Sequence, residues 1–293
     1  MWKDSFLDYL RFERNYSEAT VKGYRNDLVQ FEEFVKGMDE SLGLLTVDAD
    51  LIRSWITQLM DEHYASASVN RKLSTLRSFY RFLLKKGEIQ VDPVRKLIGP
   101  KMGKTLPVFV REKDMDSLLD ETDFGEGYVG CRDRMIIEMF YATGMRRAEL
   151  IGLKNSDVDF SARLVRVHGK RNKQRLIPFG DELKKSLEEY IKVRDESFVD
   201  ASDYFFLSIK GEKLSGSVVY NLVNKSLSKV AALKKRSPHV LRHTFATTML
   251  NHDAELEAVK ELLGHSSLSA TEVYTHTTFE ELKRIYKQAH PRA

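Results

Sequence analysis

The sequence has one cysteine, Cys131, among 293 residues, so no disulfide can form within the chain and the composition fits a reducing compartment. No run approaches the roughly 18 apolar residues of a membrane span. Met1-Trp2-Lys3-Asp4 opens into a mixed charged and aromatic segment, not a basic-then-apolar leader. These absences set membrane and secretory roles aside and lead us to expect a cytoplasmic protein. There is no glycine-rich phosphate loop and no cysteine-histidine cluster of metal-ligand spacing, so we expect no cofactor and no metal. Internal repeats and low-complexity tracts are absent as well.

What is present describes an ordinary folded chain. At 42% hydrophobic and 31% charged, it is long enough for two domains and for a core that needs no covalent staples. A net charge of +4 barely favours a polyanionic partner. Its distribution says more. Between Val69 and Lys86 stand Arg71, Lys72, Arg77, Arg81, Lys85 and Lys86 with no acidic residue. Between Arg163 and Arg175 stand Arg163, Arg166, Lys170, Arg171, Lys173 and Arg175, again with none. One such run is commonly a solvated face; two, one in each half of the chain, point to a polyanion.

Residues 1–98 read as helical throughout. Ser17-Glu18 opens an amphipathic run to about Lys36, a second covers Ala49 to about Tyr64, and a third runs from Ser66 to Lys86 and ends at Gly87. In the third, Leu73, Leu76, Tyr80 and Leu83 recur at core-facing spacing. Arg71, Ser74, Ser78, Arg81 and Lys85 recur on another face, with Lys72 and Arg77 beside it. Cations alternating with short hydroxyls suit phosphate and base-edge contacts in a groove. Residues 99–110 form a linker: two glycines and two prolines break helix there, and Lys101 and Lys104 suit a segment following a nucleic-acid backbone. Residues 111–293 are mixed. Helices are expected over Glu112–Glu121, Arg132–Ala142, Asp181–Asp195, Gly216–Leu233, Pro238–Leu250, Leu256–Leu263 and Phe279–Ala289. Two short strands, Leu164–Val167 and Arg175–Pro178, flank a turn at Gly169-Lys170-Arg171-Asn172-Lys173. The fold class is mainly α with a small antiparallel sheet.

Five stretches of the second half carry chemistry. Ser237-Pro238-His239-Val240-Leu241-Arg242 starts a helix, with serine as cap and proline at the first helical position. His239 and Arg242 share a face there, at a terminus that favours anions, and offer a proton-transfer group and a two-pronged phosphate donor. Thr143-Gly144-Met145-Arg146 delivers an arginine just after a core helix, and Glu149 is spaced to fix its guanidinium; Arg147 is the alternative. Lys170 sits at the hairpin tip. Leu262-Leu263-Gly264-His265 ends a helix at glycine and sets His265 after it. Nine residues on comes Tyr274, one of 12 tyrosines, in Glu272-Val273-Tyr274-Thr275-His276.

This ordered set, Arg146, Lys170, His239, Arg242, His265 and Tyr274, resembles the catalytic set of the tyrosine recombinases, most nearly their Xer branch, whose members similarly often end as His290-Pro291-Arg292-Ala293 does. The resemblance spans essentially the whole chain. It implies a SAM-like helical N-terminal domain that binds core DNA, followed by a catalytic domain, the two gripping a duplex from opposite sides. Tyr274 would attack a phosphodiester to give a 3′-phosphotyrosine. Arg146, Arg242 and His265 would stabilise the charged transition state, Lys170 would protonate the leaving oxygen, and His239 would handle the tyrosine proton. Arg171 and Lys173 join the DNA-binding set, with Lys173 the alternative to Lys170.

The family pairs two specific sites through a Holliday junction in a homo-tetramer, or in a hetero-tetramer with a second recombinase, and a septal DNA translocase is a further expected partner. The terminal helix, with Leu282, Ile285 and Ala289 in phase, is expected to dock on a neighbouring subunit. The pattern departs at Met145, at Arg147 and at Arg171, where leucine, a small or apolar residue and glycine are common; Arg171 bears on how the lysine turn bends. Chromosome-dimer resolution is the leading expectation, since the helical domain begins almost at Met1 and leaves no room for an arm-binding domain. A mobile-element integrase, a catalytically inactive architectural DNA-binding protein and a type IB topoisomerase are the alternatives.

Overall fold

The computed structural model describes residues 2–103, 108–169, 174–199, 202–233, 235–264 and 279–293, and the chain divides into two units, Met1–Thr105 and Leu106–Ala293. In the first unit, α1 (Trp2–Asp8) runs into one π-helical turn (Tyr9–Glu13), followed by α2 (Glu18–Met38), α3 (Ala49–Asp61) and α4 (Ser66–Lys86). The helix starts are chemical. The Ser17 hydroxyl accepts the Thr20 amide at 3.3 Å, and the Asp48 carboxylate accepts that of Leu51 at 2.8 Å. Helix α4 stops at Gly87, whose φ of +79° glycine adopts without strain. Leu73, Leu76, Tyr80 and Leu83 are buried as their spacing predicts, and Phe79 meets Phe6 edge-on with ring centres 5.3 Å apart.

The α2–α4 contact also encloses charge. Asp27 of α2 is buried and takes the Arg71 guanidinium on both oxygens, at 2.5 and 2.7 Å. The Thr75 hydroxyl donates to it at 2.8 Å and the Lys72 ammonium at 3.4 Å, and Lys72 also donates to Gln30. Lys72 is thus a correction to the groove-facing set. In helical phase with Leu76 and Phe79, it carries its ammonium inward, 5.9 Å from the Trp55 ring centre and 5.5 Å from that of Tyr64, and its charge is held inside.

The second unit opens with α5 (Glu112–Asp116), continued by a π-helical segment (Ser117–Glu121), then α6 (Gly127–Thr143) and α7 (Arg147–Gly152). Next come β1 (Val158–Asp159), β2 (Leu164–His168) and β3 (Gln174–Pro178). The three strands form one antiparallel sheet in the order β1-β2-β3, with Val158 opposite Val165 and His168 opposite Gln174. Val165 and Val167 point into the core while Arg166 and His168 point out. The chain continues through α8 (Asp181–Ser197), α9 (Gly216–Val230), α10 (Pro238–Asn251), α11 (Leu256–Leu263) and α12 (Phe279–Ala289). Helix α6 is the centre of this unit: Met135 to Thr143 is buried without a break, against α8 on one side and α10 on the other. The fold is mainly α with a small antiparallel sheet. Neither β1 nor α7 was expected, because two and six residues are too short to show a period. Among the described residues no helix is long and apolar enough to cross a membrane.

Helix α12 packs on its own unit. Leu282, Ile285, Tyr286 and Ala289 are buried against α10, α11 and β3, so the face expected to dock on a neighbour is covered in cis. The tail fixes it there. His290 stacks on Tyr286, donates from Nε2 to the Tyr141 carbonyl at 3.2 Å and accepts the Arg292 amide on Nδ1. Accepting on Nδ1 requires the neutral ring, and burial pushes its pKa down to about 4. Arg292 binds Asp116 and Asp120, and Ala293 lies against Gly180, where any Cβ would collide with it.

Replacing Asp27 by alanine strands the Lys72 charge in the interior. The expected loss is about 3 kcal/mol of folding free energy in the first unit, read from urea denaturation of the full chain. A loss below about 1 kcal/mol would mean that Lys72 escapes to solvent and that the network is a surface pair.

Candidate active site

Helix α6 ends at Gly144 in a left-handed turn, φ +57°. A Cβ there would lie 2.5 Å from the Phe245 ring and 2.8 Å from Leu263, so both the turn and the close approach of α10 and α11 require glycine. That turn carries the chain into Arg146, in extended conformation at the cap of α7. Glu149, one helical turn on, accepts the Arg146 backbone amide at 2.7 Å and its guanidinium at 2.8 Å. The spacing anticipated this pairing. Arg147, the alternative, donates instead to the Gly216 carbonyl at 3.2 Å on the exposed side.

Arg242 comes from the second turn of α10, and is 8% exposed. It donates to the Gly144 carbonyl at 2.7 Å and to that of Leu263 at 2.5 Å. Burial, then the charges of Arg146 and Arg175, lower its pKa to about 10, which leaves it a cation at neutral pH. His239, near the start of α10, is exposed. Partial burial, then the charges of His243, Arg242, Lys235 and Arg147, hold its pKa below the ordinary imidazole value. At neutral pH the ring is therefore mainly unprotonated and able to accept a proton. Pro238 occupies the first helical position as expected, but Ser237 does not cap: its hydroxyl is buried with no hydrogen-bond partner among the described residues, and its extended backbone marks the helix start.

A third arginine completes the cluster. Arg175 of β3 grips both oxygens of Glu149, at 3.0 and 2.9 Å, and donates from Nε to the Leu262 carbonyl at 2.7 Å. Arg146 reaches the Gly264 carbonyl at 3.2 Å. The last carbonyls of α11, at Leu262, Leu263 and Gly264, thus take Arg175, Arg242 and Arg146 in turn. A helix C-terminus carries unpaired carbonyls and the negative end of the dipole, and here three cations satisfy both. Among the described residues Glu149 is the one carboxylate hydrogen-bonded within the cluster, to Arg146 and Arg175 and not to Arg242, so the cluster keeps a positive excess suited to an oxyanion. Arg175 was read only as part of a basic run. Its signal was register: it lies two residues from Ile177, on the strand face that turns inward.

Lys170, His265 and Tyr274 lie outside the described residues, as do Lys104, Arg171 and Lys173. In the first unit, Arg71, Ser74, Arg81 and Lys85 are exposed along α4 and Ser78 is half-buried. Arg77 donates to the Leu97 carbonyl at 2.7 Å, and Ser74 bonds back to the Asn70 carbonyl at 2.9 Å.

Comparison with known proteins agrees with this geometry. The phage integrase family matches residues 108–281, and the phage integrase N-terminal SAM-like domain matches residues 4–87. The tyrosine recombinase XerC of Staphylococcus aureus (strain JH9) is 39% identical over 291 residues, covering 99% of this chain and 97% of that protein. The XerH site-specific recombinase bound to its difH substrate is similar in structure, with a TM-score of 0.71 at 22% identity over 96% of this chain and 83% of that one. The Tn1549 transposon integrase in complex with transposon right end DNA gives 0.72 at 21% identity over 98% of each chain. At such identities the two structures speak for the fold. The chain belongs to the phage integrase family: it is a tyrosine recombinase of the Xer-like kind, a site-specific DNA recombinase.

Burial works to raise the Glu149 pKa, but hydrogen bonds and charge from Arg175, and then from Arg146, hold it below the ordinary value of 4.5. Its contribution to stability is therefore present in full above that value and is lost as pH falls through the depressed one. Glu149→Gln removes this titration. The stability gap between wild type and variant, measured by denaturation from pH 7 to 3, should be constant near neutrality and shrink below about pH 4.5. A gap independent of pH would mean that the carboxylate is not held ionised.

Proposed function

We propose that this recombinase cuts and rejoins duplex DNA at a specific site through a 3′-phosphotyrosine and a Holliday junction, in Xer-type resolution of chromosome dimers. The observation that carries the reading is the set of arginines on the end of α11, with Arg146 and Arg242 held at fixed positions and a net positive charge left over. A phosphodiester gains negative charge as a nucleophile adds, so preset guanidiniums favour the transition state over the ground state. Tyr274 is the nucleophile and its phosphotyrosine conserves the bond energy, so rejoining requires no other energy source. His239 accepts the phenol proton and later returns it, Lys170 protonates the 5′ leaving oxygen, and His265 supports the non-bridging oxygens.

The XerC relative supports the Xer role, and the DNA complexes of the XerH and Tn1549 proteins support duplex binding. The first unit contributes Arg71, Ser74, Arg77, Ser78, Arg81 and Lys85 to the duplex, and the 99–110 segment, with Lys104, joins the units along the backbone. The protein acts in the cytoplasm as a tetramer, alone or with a second recombinase, with α12 exchanged between neighbours and a septal translocase as activator.

Covalent capture in the native cell tests this: the protein is denatured and the attached DNA sequenced. Adducts at one locus near the replication terminus, absent in Tyr274→Phe although that variant still binds DNA, are the expected result. Adducts at element ends would make the protein an integrase, and an undiminished yield in Tyr274→Phe would move the nucleophile elsewhere. Arg242→Lys keeps the charge but not the fork, so it should cleave about 100-fold more slowly with near-normal affinity. An equal loss of rate and affinity would make Arg242 a binding residue.

A further inference from the structure

We infer that Arg175 is a positioning residue for strand cleavage, setting Arg146 through Glu149 and holding the end of α11 to the sheet. The inference rests on the phosphotyrosine reading above, and adds to it a residue that motif comparison did not single out.

The contacts distinguish Arg175 from the other two arginines. Among the described residues Arg146 and Arg242 each bond to protein through Nη1 and Nη2 and not through Nε, and the Arg146 side chain is more than a third exposed. Arg175 is about as buried as Arg242, and what sets it apart is that its Nε, Nη1 and Nη2 are each bonded to protein. It is placed to hold, not to touch substrate. What it holds is the counter-ion of Arg146: each Glu149 oxygen is shared between the two residues. Without Arg175 the whole negative charge of a buried carboxylate falls on Arg146, lowering its pull on phosphate and drawing it toward α7. The Leu262 carbonyl loses its partner at the same time, and with it the tie between β3 and α11. Gly264 allows this approach, since a Cβ there would meet the Arg175 side chain at 3.0 Å. Lysine has one point of charge and no planar fork, so it cannot span Glu149 and Leu262 together.

The test uses the full-length protein and a nicked duplex carrying the site recovered by covalent capture. Single-turnover adduct formation is followed for wild type, Arg175→Ala and Arg175→Lys, beside duplex affinity and the urea midpoint. A fold defect lowers the fraction of protein that reacts, whereas a displaced Arg146 lowers the rate constant of the fraction that does. We expect Arg175→Ala to lower the rate constant on the order of 100-fold, and Arg175→Lys about tenfold, with affinity changed less than about threefold. If alanine unfolds the domain, the lysine variant carries the test alone. A wild-type rate constant in the folded fraction, or rate and affinity falling in step, overturns the inference while leaving the recombinase reading intact. A wild type that forms no adduct overturns both.

Discussion

The second unit depends on how one short helix ends. Helix α11 leaves its last carbonyls unpaired, as every helix does, and three arginines from three separate elements take them one apiece. Arg146 comes from the α6–α7 turn, Arg242 from α10 and Arg175 from β3. The bonds therefore do two things at once: they close the helix end, and they fix three side chains that sequence distance would leave independent. Glycines with positive φ stand on both sides of the contact, Gly144 ending α6 and Gly264 ending α11. At Gly144 a side chain would collide with Phe245 and Leu263, and at Gly264 it would crowd Arg175.

Placing cations together under partial burial is costly. An isolated charge transferred to the interior loses several kcal/mol even after relaxation. Glu149 and the carbonyl dipoles offset part of this, and the lowered pKa of Arg242 reflects first its burial and then the remaining positive charge of Arg146 and Arg175. A site in this condition is stabilised by an anion and has its donors already aimed, so little reorganisation is left for the reaction. Hydrogen bonds hold the arginines in place and leave a surplus of positive charge suited to a phosphodiester.

The sequence made the helices legible to within a few residues, because caps such as Ser17, stops such as Gly87 and the period of Leu73, Leu76 and Leu83 are local signals. It also made the Arg146–Glu149 pair legible, since three residues along a helix bring side chains together. What it hid were relations across the chain. Arg175 meets Glu149 from 26 residues away and Leu262 from 87, and no periodicity encodes either contact. Lys72 shows the opposite error. Read in one dimension it belonged to a basic run, but its phase on α4 turns it toward Asp27 on another helix. Ser237 satisfied the rule for a cap without forming one: its buried hydroxyl accepts no amide of the first turn.

The terminal helix poses a different physical question, since its apolar face is already covered at home. Burying a large apolar side chain contributes roughly 1.5–3 kcal/mol, so lifting Leu282, Ile285 and Tyr286 into water would be prohibitive for a freely detached tail. Exchange between identical chains carries no such penalty, because the neighbour offers the same groove and the same Tyr141 carbonyl for His290. The cost is confined to the connecting residues and to the open intermediate. A cis-packed helix and one docked on a neighbour are therefore close in free energy by symmetry, and the tail contacts of His290 and Arg292 specify which groove is filled without specifying whose.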